Sequence, residues 1–242
     1  MSRTTALERL AQVAGIPEPD LSDPAVAEFA DQFRLDVSAV DDTQRTAFFA
    51  ATGDRAFAVT QQIYAHDFVP RVRRVLGGLA PTPIGYDGDT WSLLESFMVE
   101  VARLRALDPV LTELVRLRGA RLHDCAVCKS RRSQDAIDAG ASSSAFDAVD
   151  GWQTSDLPAA TRAALALADA MILGTAVPDG VRENLTEDQL VEVVLDVMRN
   201  AANKIAVALG ADAATVTEGV ELFTTDADGN LEVVGTAGSN LG

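Results

Sequence analysis

Residues 90–122 read TWSLLESFMVEVARLRALDPVLTELVRLRGARL and contain two amphipathic segments that meet at Asp108 and Pro109. In each segment apolar residues recur every three to four positions, which is the period of an α-helix with one buried face. Asp108 is suited to cap the second helix, and Pro109 to occupy its first turn, where the amide hydrogen that proline lacks would have no intrahelical partner. The stretch therefore predicts two consecutive helices.

The same helical period covers most of the chain, in which Ala and Leu are frequent and aromatic residues make up 5%. It predicts a helix over 24–36, entered through Asp23, and helical structure from about Thr43 onward. Two further helices are predicted over 157–173 and 185–210, the second beginning with a capping box and ending at Gly210. The chain is thus predicted to be mostly helical.

The C-terminal tail has a different pattern. Apolar residues alternate with others on both sides of an Asp-Gly pair, which predicts a small β-hairpin joining Val220–Thr224 to Leu231–Val234. The last residues, 235–242, are expected to fray. The predicted fold class is therefore all-α, with a small C-terminal β-hairpin.

Residues 77–89, GGLAPTPIGYDGD, interrupt the helical pattern with four Gly and two Pro. They mark the predicted boundary between an N-terminal helical half (1–80) and a second domain (90–210), which is followed by the tail (211–242). No motif recurs at a fixed offset, so the sequence leaves open whether the two halves are duplicates.

Composition restricts the classes of function. The 242 residues are 48% hydrophobic and 23% charged, which is typical of a globular protein. Lys and Arg total 20 against 36 Asp and Glu, a net charge of −16, which disfavours nucleic acid and anionic membranes as partners. The first twenty residues lack the apolar core of a secretory signal, and no later run is long enough to cross a bilayer, so a cytoplasmic location is expected.

The only two cysteines, Cys125 and Cys128, lie in the segment 113–140, ELVRLRGARLHDCAVCKSRRSQDAIDAG. In a reducing compartment so close a pair is more typical of redox or metal sites than of a structural cross-link. Asp124 is placed to cap a helix whose first turn contains both sulfurs, and an anion is favoured there. The positive charges of Lys129, Arg131 and Arg132 are close in the sequence and should lower the cysteine pKa values further.

The order and spacing of Glu113, Cys125 and Cys128 in ELVRLRGARLHDCAVC resemble those of a known family. This is the alkylhydroperoxidase D (AhpD)-like branch of the carboxymuconolactone decarboxylase superfamily. The resemblance covers about residues 90–210 and includes RNAANKIAVALG at 199–210, where such proteins have an Asn followed by a basic residue.

That resemblance implies an AhpD-like bundle of helical hairpins, assembled as a homo-trimer or homo-hexamer, which reduces small-molecule hydroperoxides without a metal or organic cofactor. An unidentified thiol would be the reductant. It further implies that Cys128 attacks the peroxide, that Cys125 resolves the resulting sulfenic acid, and that Glu113 takes part in a proton relay.

The chain also departs from the family pattern. Family members with peroxidase activity have a His four residues after the second cysteine and often one between the cysteines, whereas this chain has Arg132 and Val127 there. Arginine stays protonated, so Arg132 could support a thiolate but could not accept its proton. Of the two histidines, His66 is expected to be a partly buried structural residue, whereas His123, two residues before Cys125, is a candidate site residue.

Two geometric expectations follow from the spacing. An unbroken helix would place Glu113 about 18 Å from a residue twelve positions later, so the helix is predicted to break near His123 and Asp124. Glu113 is also expected to pair with Arg132, because each would otherwise be an uncompensated charge beside the thiols. An exposed Glu113, or one paired with Arg116 or Arg118 on its own helix, is the structural alternative.

Several alternatives to a redox pair are weaker. The cysteines could be inert core residues. A zinc site needs about four ligands, of which only His123 lies nearby, and haem attachment would need His where Lys129 stands. A carboxymuconolactone decarboxylase would not need a dithiol. A non-catalytic scaffold or binding protein would explain the missing histidines.

Overall fold

The computed structural model describes residues 3–238. The chain is mostly helical, with a small three-stranded sheet near the C-terminus, and no helix in this part of the chain is long and apolar enough to cross a membrane. The helices are α1 (Arg3–Val13), α2 (Pro24–Leu35), α3 (Asp42–Thr52), α4 (Ala56–Leu76), α5 (Thr90–Ala102), α6 (Pro109–Leu122), α7 (Ala126–Lys129), α8 (Gln134–Asp138), α9 (Ser143–Asp147), α10 (Ala159–Ile172), α11 (Val181–Asn184), α12 (Glu187–Ala201) and α13 (Lys204–Ala208).

The predicted helix starts are confirmed. Asp23 and Asp108 cap α2 and α6 through their side chains, with a proline in the first turn of each helix. Thr186 and Gln189 form the predicted capping box at the start of α12. These starts are correct because a cap uses only residues within three positions of it.

Two helix ends differ from prediction because tertiary contacts replace helical hydrogen bonds. Helix α5 ends at Ala102 rather than at residue 107, and the amide of Ala106 donates instead to the buried Glu192 carboxylate at 2.5 Å. The predicted helix 185–210 is split between α12 and α13. The break turns Lys204 into the core, where its ammonium pairs with Asp67 of α4 at 2.8 Å.

Helices from both sides of residues 77–89 share one hydrophobic core. Helix α1 packs against α5, α4 against α12, and α6 against both α10 and α12. The connecting segment itself lies on α1, where the amide of Ile84 donates to the carbonyl of Ala11 at 2.9 Å. A Cβ at Gly15 would lie only 1.8 Å from the Ile84 carbonyl oxygen, so this close approach requires glycine.

The C-terminal hairpin is confirmed and belongs to a larger sheet. Strands β2 (Val220–Thr225) and β3 (Leu231–Ala237) are antiparallel, and β1 (Arg131–Ser133) pairs with β2 in parallel. The prediction of fraying from residue 235 is wrong up to Ala237, which pairs with Val220, and residues 239–242 lie outside the described part. Strand β1 was not predicted, since three residues are too few to show a period. The sheet brings the tail beside the cysteine segment.

Candidate active site around the cysteine pair

The predicted helix break is confirmed. Helix α6 ends at Leu122, and Asp124 adopts a left-handed backbone conformation with φ of 51°. The amide of Cys125 then donates to the carbonyl of Ala120 at 3.0 Å, which folds the cysteine segment back against the end of α6. The reversal brings residues 125–133 alongside Glu113 and Arg116 of that helix.

The expected cap is wrong by one residue. Cys125, not Asp124, caps the four-residue helix α7, and its Sγ accepts a hydrogen bond from the amide of Cys128 at 3.3 Å. Asp124 forms an ion pair with Lys129 instead. With α7 so short, an aligned helix dipole contributes little to thiolate stability.

Cys125 and Cys128 form a disulfide, with their Cα atoms 5.3 Å apart. The two residues are 1% and 8% exposed, and both line a cavity of about 640 Å³ that we call the cysteine cavity. The pair is therefore not enclosed on all sides by aliphatic side chains. Helix α5, the end of α6, the α12–α13 break and the β-hairpin together form its walls, which include Glu95, Met98, Val99, Arg116, Ala120, His123, Val127, Arg131, Arg199, Asn200, Asn203, Phe223, Gly229, Asn230 and Leu231.

Glu113 and Arg116 hold the cysteine segment in place. The Arg116 guanidinium donates to both Glu113 carboxylate oxygens, at 2.6 and 2.7 Å. It also donates to the carbonyl oxygens of Cys128 at 2.9 Å and Arg131 at 2.8 Å, while Glu113 accepts from the amide of Ser133. This buried pair fixes the backbone on both sides of the turn that follows Cys128.

The predicted ion pair between Glu113 and Arg132 is wrong. Arg116 lies one turn from Glu113 on the same face of α6 and takes up both carboxylate oxygens. Arg132 instead donates to the carbonyls of Lys129 and Arg131 and stacks over Phe146 at 5.7 Å.

Arg132 is buried away from the cysteine cavity, whose walls do not include it. Burial, followed by the neighbouring charge of Arg116, lowers its pKa to about 10. Its Nε has no hydrogen-bond partner among the described residues. Arg132 therefore does not contribute to the wall beside the sulfurs.

His123 does line the cysteine cavity. It is 6% exposed, contacts Phe68 edge-on, and its Nε2 is buried without a partner in residues 3–238. Burial, together with the positive charges of Lys204 and Arg71, lowers its pKa to about 3, so the imidazole is neutral near pH 7. The other histidine, His66, is partly buried with its Nε2 2.9 Å from the carbonyl of Ile16, as expected for a structural residue.

Glu113 faces a second cavity of about 340 Å³, not the cysteine cavity. Arg116, Arg199 and Phe223 lie between the two and line both. Other acidic side chains of the second cavity are Asp135, Glu192 and Asp196. Burial raises the pKa of Glu192 to about 7 and also raises that of Asp196.

Sequence reasoning missed several cavity residues. The sequence suggests Arg116 only as an exposed partner of Glu113, although its position one helical turn from Glu113 was a signal for the buried pair. Arg199, Asn200 and Asn203 lie within the segment RNAANK, at the end of α12 and in the break before α13, and no local pattern shows that they face the cavity.

Comparison with known proteins finds two similar Mycobacterium tuberculosis proteins, the uncharacterized protein Rv2313c of strain H37Rv and the uncharacterized protein MT2376 of strain CDC 1551. Each is 41% identical over 247 aligned positions, which cover 94% of this chain and 87% of the relative. The chain belongs to the same family as these two proteins. The similarity therefore extends over both helical halves and the cysteine segment.

A third relative is shorter. The uncharacterized protein YdfG of Bacillus subtilis is 28% identical over 126 residues, which cover 49% of this chain and 86% of YdfG. No protein-family model matches the chain. The comparison with solved structures found no significant match.

Proposed function

We propose that this protein is a thiol oxidoreductase that reduces hydroperoxides through Cys125 and Cys128. The observation that carries the proposal is that the two residues are bonded to each other on the wall of a cavity large enough for a small organic molecule. The Glu113, Cys125 and Cys128 spacing that resembles alkylhydroperoxidase D-like proteins is consistent with it.

The proposed cycle balances without a cofactor. The Cys128 thiolate attacks the terminal oxygen of the hydroperoxide, so that a sulfur–oxygen bond forms, the oxygen–oxygen bond breaks, and the alkoxide leaves as the alcohol after gaining a proton. The Cys125 thiolate then attacks the Cys128 sulfenic acid, a sulfur–sulfur bond forms, the sulfur–oxygen bond breaks, and the hydroxide leaves as water after gaining a proton. The sulfurs lose the two electrons that the peroxide gains, and an external thiol restores the dithiol.

The surroundings of the sulfurs support these roles. Cys128 is the more exposed of the two and would meet substrate first, while the Cys128 amide donates to the Cys125 sulfur and would favour its thiolate. Arg116 and Arg131 line the same cavity, and each is paired with a carboxylate outside its walls, so their N–H groups rather than a net charge face the sulfurs' side. Glu113 acts through Arg116 as a positioning residue in this proposal.

The remaining expectations are also part of this proposal. These are an AhpD-like arrangement of the helices, a homo-trimer or homo-hexamer, and an unidentified thiol as reductant; a cytoplasmic location is proposed from composition. Sedimentation of the purified chain measures the number of subunits directly. A monomer would contradict the proposed trimer or hexamer but not peroxide reduction.

The test is a single-turnover reaction. The reduced protein, freed of reductant, is mixed with cumene hydroperoxide. The reaction is quenched by alkylation of the remaining thiols, and the intact mass of the protein is measured. We expect the wild type to lose about 2 Da and both alkylation sites within seconds to minutes. Cys125→Ser should stop at a sulfenic acid that dimedone traps on Cys128.

The variants separate the alternatives. Cys128→Ser should leave Cys125 unoxidised over the same time, and a Cys125→Ser, Cys128→Ser double variant gives the background. A dimedone adduct on Cys125 rather than Cys128 would reverse the two roles. Thiols that stay reduced for hours in the wild type would contradict peroxide reduction and favour a non-catalytic binding role.

A further inference from the structure

Arginine outnumbers carboxylate in the walls of the cysteine cavity. Three arginines, Arg116, Arg131 and Arg199, line it, and Glu95 is the single carboxylate of the walls among the described residues, in a protein of net charge −16. Each arginine is ion-paired with a carboxylate that does not line the cavity, so what the walls offer a ligand is guanidinium hydrogen-bond donors rather than a net positive charge. His123 adds no charge near neutral pH. A cluster of guanidinium groups in a concave site attracts an anion in preference to a neutral or cationic molecule.

Arg131 and Arg199 keep most of their hydrogen-bond donors available. Arg116, by contrast, uses four of its five N–H groups on Glu113 and two carbonyl oxygens. Arg131 uses its Nε on Glu221 at 2.6 Å, and Arg199 uses one Nη on Asp196 at 3.0 Å. The other N–H groups of Arg131 and Arg199 find no partner within residues 3–238, and none is fully buried. They are free to bind a ligand.

Apart from the arginines, Glu95 and His123, the cavity walls are mostly apolar or amide side chains. Helix α5 and the segment between the cysteines provide Met98, Val99 and Val127, and the hairpin provides Phe223 and Leu231. A ligand that satisfies both parts of the wall has an apolar body and one anionic group. The cavity volume of about 640 Å³ is in the range of sites for small organic molecules.

We propose that the cysteine cavity selects hydroperoxides of organic acids, with Arg131 and Arg199 binding the carboxylate and the apolar wall holding the remainder. This inference rests on the proposed peroxide-reducing function and names its substrate class. The reaction itself is unchanged, since the carboxylate takes no part in the transfer of oxygen to Cys128 sulfur.

The test compares two matched substrates, cumene hydroperoxide bearing a para-carboxylate and the methyl ester of the same compound. Second-order rate constants for oxidation of the reduced wild type are measured by quenched mass spectrometry. We expect the acid to react about tenfold faster than the ester or more, because hydrogen bonds to a charged group contribute more than neutral ones.

The ratio of the two rate constants is the readout, since it cancels any general change in cysteine reactivity. Arg199→Gln should reduce the ratio about fivefold or more through the loss of one charged donor. Arg162→Gln, at the exposed start of α10 and outside the cavity, removes the same charge and should leave the ratio unchanged.

The outcomes separate the two proposals. An acid that reacts no faster than its ester overturns the inference while peroxide reduction stands. An acid preference that Arg162→Gln lowers as much as Arg199→Gln does also overturns it, because the net charge would then be responsible. If neither substrate nor cumene hydroperoxide oxidises the wild type, the proposed function fails and the inference with it.

Discussion

Replacing Glu113 with Gln tests whether the Glu113–Arg116 pair holds the cysteine segment. The Glu113 and Arg116 side chains are 1% and 12% exposed and share two hydrogen bonds of 2.6 and 2.7 Å. The variant keeps the size of the side chain but leaves the Arg116 guanidinium buried without a counter-charge. Breaking a buried pair in this way costs about 3–5 kcal/mol of unfolding free energy.

The lower end of that range applies here, because Arg116 keeps its hydrogen bonds to the carbonyls of Cys128 and Arg131. We therefore expect a loss of about 3 kcal/mol, which for a chain of this length lowers the melting temperature by roughly 6–12 °C. Urea unfolding of the oxidised protein, followed by far-ultraviolet circular dichroism, measures the free energy.

Asp31→Asn is the matched control. Asp31 pairs with Arg34 at the same spacing on a helix, at 3.3 Å, but its side chain is 81% exposed. The control removes the same charge and should cost at most about 1 kcal/mol. If Glu113→Gln is destabilised no more than Asp31→Asn, the pair does not anchor the segment and the argument from its burial is refuted.

Three further predictions concern the surroundings of the site. The ring signals of His123, assigned with His123→Gln, should not shift between about pH 5 and 8, since burial lowers its pKa to about 3; a titration in that range would contradict the assignment of a neutral ring. Burial raises the pKa of Glu192 from 4.5 to about 7, so the folded chain holds a proton that the unfolded chain releases, and this contribution to stability is lost as the pH rises from about 5 to 7. In urea unfolding, the free energy of unfolding of Glu192→Gln should fall less between about pH 5 and 7 than that of the wild type. An equal fall in both proteins would contradict the prediction. Gly229→Ala should cost about 1 kcal/mol or more and slow oxidation of the dithiol, because φ is +84° and the added Cβ would lie 2.5 Å from the Val99 carbonyl oxygen. Gly151→Ala, where nothing lies within 4 Å, is its control, and equal melting temperatures for the two variants would show that the hairpin turn tolerates the change.

Most of the correct predictions depend on short-range patterns. The starts of α2, α6 and α12 follow from residues a few positions apart, as does the hairpin turn between β2 and β3. The break at His123–Asp124 is the exception, since it is inferred from the twelve-residue separation of Glu113 and Cys125. Helical periodicity, capping and turn formation are local, so they can be inferred before the fold is known.

The partners of charged side chains depend on the whole fold. The sequence offers Arg116, Arg118 and Arg132 as partners of Glu113. The return of the chain after Asp124 directs Arg132 to backbone carbonyls and Phe146 instead. Likewise the pKa of His123 is lowered by burial and by Lys204 and Arg71, which lie far from it in the sequence.

The amino-acid sequence alone establishes a helical protein with a close cysteine pair, because those features arise within a few residues. Only the folded chain establishes that the pair opens onto a cavity lined by arginines, since α5, α6, α12 and the hairpin each contribute one part of its wall. Distant segments meet where burial of the shared core brings them together, and no local pattern encodes that meeting.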